Sequence, residues 1–146
     1  MNALDRQEGG NHYKRFTIQP IEFTTASFYD PAAHSIVKYV LRHGDKGGLE
    51  DLRKADHFAE LRHDLIGMDP ALRRLTPQLW ESRGRKITGR YFCTINQIAA
   101  TETHAILALE HWIERGMVSA VEFSNGFQSV RDAINSVART RYGVML

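Results

Sequence analysis

The sequence predicts an all-α fold, and three observations carry that prediction. Four stretches repeat apolar residues at intervals of three and four, the spacing that puts them on one side of a helix. Helix punctuation brackets those stretches, with Asp30-Pro31 at one start and Gly44 and Gly116 at two ends. The chain has 146 residues, 42% of them apolar, enough to close a core without staples.

The elements follow in order. Residues 1–30 hold Gly9-Gly10 and Pro20 without a sustained period, and read as an irregular arm with a short extended piece at 16–18. Asp30 then caps and Pro31 preorganises a first helix, on which Ala33, Ile36, Val37, Val40 and Leu41 share a side. Gly44 ends it. After Gly47-Gly48 a second helix runs over 49–65, with Leu52, Ala55, Phe58, Ala59 and Leu65 on its apolar side. The short loop between them predicts an antiparallel helical hairpin over 31–65. After Gly67, residues 69–89, with Pro70, Pro77, Gly84 and Gly89, read as a basic connector in which Thr76-Pro77 starts a short helix through Trp80. Two longer helices close the chain, over 96–115 and 125–142. The whole is expected to form one helical domain.

Composition removes several classes of function. A single cysteine, Cys93, cannot make an internal disulfide and suits a reducing cytoplasm. Apolar runs of only a few residues, such as 106–109, are far short of the ~20 that cross a bilayer. The first fifteen residues lack the apolar stretch of a secretory signal. A formal net charge of +2 does not by itself mark a nucleic-acid binder. No G-x-x-x-x-G-K-[ST] or G-x-G-x-x-G run occurs, and the histidines and cysteine lack zinc-finger spacing. His63-Asp64, with His34 and Asp132, matches His-Asp phosphohydrolases only superficially. Cys93 beside Phe92 reads as a core thiol.

Three clusters are left to carry chemistry. On the first helix Lys38, Tyr39 and Arg42 group on the side opposite Ile36, Val37 and Val40, and Lys46 follows in the turn. Arg offers a fork of donors, Lys a point charge and Tyr a stacking ring, which together suit a phosphorylated ligand. A solvated helix face carries the same residue types. On the second helix Glu50, Arg53, His57, Glu60 and Asp64 form a stripe that either presents oxygen ligands to Mg²⁺ or simply pairs charges along an exposed face. Residues 73–90 hold six basic residues against Glu81 alone, suiting a phosphate clamp, a nucleic-acid contact or a solvated connector.

Gly10-Asn11-His12-Tyr13-Lys14, Gln19-Pro20-Ile21-Glu22, Ile36-Val37-Lys38-Tyr39-Val40-Leu41-Arg42-His43, Lys46 and Gly48-Leu49-Glu50-Asp51-Leu52-Arg53-Lys54-Ala55 occur in an order and spacing that resembles a family of small phage proteins. That family was long catalogued as a domain of unknown function and is now often labelled phage nucleotide kinases. The resemblance covers residues 9–65. It implies phosphoryl transfer from ATP to a deoxynucleoside monophosphate without a P-loop, in the cytoplasm of an infected bacterium. It points to His12, Tyr13, Lys38, Tyr39, Arg42, Lys46 and Asp51. In that reading Lys38 and Arg42, with His12, are catalytic, Tyr13, Tyr39, Lys46 and Lys14 bind nucleotide, and Glu50 and Asp51 orient Mg²⁺. His34-Ser35 stands where many relatives carry Gly-Asn, and residues 66–146 lie outside the resemblance.

The competing classes are a non-catalytic nucleotide-sequestering protein, an all-α nucleotide pyrophosphatase and a factor that engages host protein or DNA through residues 73–90. The paired acidic spacing of the pyrophosphatases is not evident here. Apolar sides on the two C-terminal helices, including Trp112 and Phe127, predict self-association, with a nucleotide site shared between subunits as one arrangement.

Overall fold

The computed structural model describes residues 3–6, 8 and 10–146; Gly9 of the Gly9-Gly10 pair lies outside them. Among the described residues there are seven α-helices and no strand: α1 (Pro20–Ala26), α2 (Pro31–Arg42), α3 (Leu49–Gly67), α4 (Pro70–Arg83), α5 (Gly89–Ile95), α6 (Ala100–Arg115) and α7 (Ala120–Tyr142). No helix is long and apolar enough to cross a membrane.

The α2–α3 hairpin forms as expected. Asp30 caps α2 by accepting from the Ala33 amide at 2.8 Å, and its second oxygen accepts from Arg62 Nε of α3 at 2.9 Å. One carboxylate thus starts the first helix and fastens the second to it. Arg62 is buried with its guanidinium 4.4 Å above the Trp112 ring, so α6 closes over the same point. α3 packs on α7, where Arg131 makes two 2.8 Å bonds to Asp56. α6 and α7 cross closely at Gly126, where any Cβ would strike the Trp112 ring. The core that results includes Phe23, Ile36, Val40, Leu52, Phe92, Ile106, Trp112, Ile134 and Val137.

The arm and connector differ from the sequence expectation. The arm holds α1, because Gln19 and Glu22 form a capping box with Pro20 at the first helical position. The 16–18 piece pairs with no strand: the Asn96 side chain accepts from the Ile18 amide at 3.1 Å and donates to its carbonyl at 2.9 Å. Residues 70–83 form a helix, not a flexible connector. Asp69-Pro70 repeats the start signal of Asp30-Pro31, with the Asp69 side chain accepting from Ala71 N at 2.9 Å. The helix continues through Pro77, which is buried against the body. Thr88 caps α5. α6 begins at Ala100, later than expected, and α7 at Ala120, earlier, because Ser119 caps it by accepting from Glu122 N at 3.1 Å. Trp112 is fully buried and Phe127 lies packed against the core, so the fold itself covers the two side chains from which self-association was expected.

Candidate functional site

The α2–α3 turn is built by one carboxylate. Asp51, on the first turn of α3, accepts from Arg42 Nε and Nη2 at 2.9 Å each and from the Gly47 amide at 3.0 Å. A Cβ at Gly47 would sit on that carboxylate, and Gly48 turns the chain into α3 with φ +56°. Burial alone would push the Asp51 carboxyl up, but the Arg42 and Gly47 bonds outweigh it and hold the group below its ordinary range.

Around this turn the predicted residues separate into two groups. Lys38 lines a cavity of about 210 Å³ with Tyr13, Gln19, Pro20, Ile21 and His34, between the arm, α1 and α2. His34 Nδ1 lies 2.7 Å from Thr24 Oγ1, which leaves Nε2 as the nitrogen able to meet a ligand. Burial, then Lys38, lowers the His34 pKa, so the imidazole is mainly neutral near pH 7. Burial raises the Tyr13 phenol, while neighbouring Arg42 works the other way. The His12 ring lies tilted against Tyr13, centroids 4.2 Å apart, its pKa lowered by burial and then by Lys46 and Arg42. His12, Tyr13, Lys38, Arg42 and Lys46 therefore belong to one neighbourhood.

Tyr39, Lys14, Glu50 and Asp51 are placed differently. The Tyr39 ring already stacks on Phe58 at 5.8 Å, with Lys38, Arg42 and Lys54 within 5.5 Å of its centre. It gathers cations instead of offering an open face to a base. Lys14 lines a separate hollow beside Leu4, Phe16 and Thr17. Glu50 is exposed, 3.9 Å from Arg53. Asp51 is buried, with its oxygens committed to Arg42 and Gly47. These two carboxylates do not fit a shared Mg²⁺ site. Among the described residues no three His, Cys, Asp or Glu come together as a metal site would need.

One polar cluster was not anticipated from the sequence. His43, at the end of α2, lies with Nδ1 2.7 Å from the Tyr142 hydroxyl and Nε2 2.9 Å from Glu102. Arg141 makes two 3.0 Å bonds to Glu102, and Thr101 donates to it at 2.6 Å. Burial would push the Glu102 carboxyl up, yet the His43, Arg141 and Thr101 bonds prevail and hold it well below the ordinary range. With a proton on Nε2 the ring donates to Glu102, and Nδ1 is left to accept from Tyr142. The only sequence signal was His43 itself; its partners are 59 and 99 residues away.

Comparison with known proteins reaches only the first part of the chain. Residues 8–60 match a family described as a protein of unknown function, DUF3310. The matched segment contains the arm, α1, α2 and the start of α3, and so every residue of the candidate neighbourhood. Glu102, Arg141 and Tyr142 lie beyond it. No curated protein and no solved structure matches the chain.

Proposed function

We propose that the chain binds a phosphorylated small molecule of the nucleotide class between the arm and α2, and that phosphoryl transfer from ATP to a deoxynucleoside monophosphate is the activity to test there. The observation that carries this reading is the uncommitted charge of Lys38. It lines a cavity and, among the described residues, has no carboxylate partner, while Asp45 is taken by Arg15 and Asp51 by Arg42. A half-buried ammonium beside a neutral imidazole favours an incoming anion, because among the described residues no carboxylate competes for it. At about 210 Å³ the cavity is smaller than the ~300–1,000 Å³ of sites that enclose a drug-sized ligand. It therefore suits one end of a nucleotide, with the remainder lying toward Arg42 and Lys46.

Transfer chemistry asks mainly for positioning and for neutralisation of phosphate oxygens. Lys38 and Lys46 offer the neutralising charge and His34 a positioning hydrogen bond, and a divalent ion would arrive on the substrate phosphates. The commitment of Asp51 to Arg42 favours a second reading, in which the chain binds and sequesters nucleotide without turnover.

Calorimetric titration of the purified protein with dNMPs, ATP and inorganic phosphate tests the binding. We expect saturable binding by the wild type and at least tenfold weaker binding by Lys38→Ala, whose fold stays intact. Equal affinity in the two proteins would remove Lys38 from the site. Incubation with dNMP, ATP and Mg²⁺, followed by chromatography, separates transfer from sequestration: dNDP formation supports the first, binding without product the second.

A further inference from the structure

The turn that carries Lys46 is held from outside the matched segment. Its backbone closes on two carbonyls: that of Arg42 accepts from the Lys46 amide at 3.1 Å, and that of His43 from the Gly48 amide at 2.8 Å. His43 is in turn gripped by the far end of the chain. The Tyr142 hydroxyl, at the end of α7, lies 2.7 Å from His43 Nδ1 and 3.4 Å from the His43 carbonyl oxygen, and Glu102 of α6 lies 2.9 Å from Nε2. The same hydroxyl stands 4.0 Å from where a Cβ on Gly48 would be, so it backs the turn at the point where φ is +56°.

This support is local and bears on the site. His43 is buried, so water does not readily replace a partner it loses. Lys46 extends from the closed turn, exposed, and its charge opposes protonation of the His12 ring on the arm. A cation on a fixed turn gives up less conformational freedom on meeting an anion than one on a mobile turn, so the support reaches the ligand as affinity. α7 itself stays docked through Val130, Ile134 and Val137, which are fully buried, so loss of the Tyr142 hydroxyl loosens the turn and not the helix.

We propose that Tyr142 is a positioning residue for the nucleotide site: through His43 it fixes the turn over 43–48 and so sets the affinity that Lys46 contributes. The inference rests on the nucleotide reading given above. It gives α6 and α7 a part in binding, because the matched segment holds His43 but neither Tyr142 nor Glu102.

Amide hydrogen exchange followed by NMR reads the turn without any ligand, and calorimetry reads the binding. In Tyr142→Phe the Lys46 and Gly48 amides should exchange about three- to tenfold faster, the effect of one lost hydrogen bond, while the Val37 and Val137 amides keep their wild-type rates. ATP should bind this variant about three- to tenfold more weakly, and inorganic phosphate, which needs only the Lys38 cavity, as tightly as it binds the wild type. Lys46→Ala should weaken ATP binding less in the Tyr142→Phe background than in the wild type, since the two act through one contact. Wild-type exchange at Lys46 and Gly48, faster exchange at Val137 as well, equal losses of ATP and phosphate, or additive losses in the double variant would each overturn the proposal and leave the site itself to the Lys38→Ala test. A wild type that binds no ATP removes the nucleotide reading, and this inference with it.

Discussion

The arginines and lysines of this chain do different work, and the difference divides the molecule. Beyond the matched segment the main arginines build: Arg62 holds Asp30, Arg131 holds Asp56 and Glu60, Arg141 holds Glu102, and Arg85 lies 3.4 Å from Glu110. Within the segment are four of the five lysines, Lys14, Lys38, Lys46 and Lys54, and among the described residues none makes an ion pair. Arg has a planar fork that suits fixed, buried pairs, whereas Lys is a point charge that a mobile anion can satisfy. Charge fixed in pairs supports the fold, and charge left over is available to a ligand.

Substitutions can break that distinction, beginning with the largest expected effect. Asp51→Ala strands Arg42 and the Gly47 amide, and should cost about 3–5 kcal/mol in denaturant unfolding. Arg42→Ala should be comparably damaging, because it leaves the buried Asp51 carboxylate unpaired; Arg42 thus supports the site's structure, and its removal is a poor probe of binding alone. Glu102→Gln should cost about 1.5–3 kcal/mol by weakening charged hydrogen bonds. Its pH signature has a definite sign. Glu102 ionises more readily folded than unfolded, so its contribution is complete above the unfolded value of ~4.3 and is lost as pH falls toward the lower folded value. The wild type should therefore lose stability below about pH 4.3, and Glu102→Gln should show a shallower acid limb in a stability-versus-pH series. Tyr142→Phe removes one hydroxyl and should cost about 0.5–1.5 kcal/mol. Lys38→Ala should change stability by no more than ~0.5 kcal/mol while binding falls. A Lys38 variant that unfolds like Asp51→Ala would erase the division between building and spare charge.

Much of this was legible in the chain. The α2–α3 hairpin announces itself because its signals are local: Asp30-Pro31 starts it, Gly44 and Gly47-Gly48 turn it, and the three-four spacing of Ile36, Val37, Val40 and Leu41 matches one face. Asp69-Pro70 is an equally local signal, but the glycines and Pro77 around it weigh toward a connector; burial of Pro77 against the body lets the helix continue. α1 is harder to read because Gln19 is an uncommon cap that acts here through Glu22. At the site, grouping Lys38 with Arg42 needed only helical spacing. That Asp51 would be consumed by Arg42 required knowing how the turn folds back, and that Tyr39 would face Phe58 required knowing how α2 meets α3. The His43 cluster had no local signature, since its members meet only when α6 and α7 are packed.

That last meeting sets an order of events. The Tyr142 hydroxyl reaches His43 across 99 residues, from the final turn of the final helix. Chains are synthesised from the amino end, so the turn that carries Lys46 emerges before α6 and α7, and the His43 imidazole waits for the partners they carry. Loop closure over that length is slow compared with helix formation. The turn between α2 and α3 is thus completed by α6 and α7, and it reaches its native hydrogen bonding only after both have been made and packed.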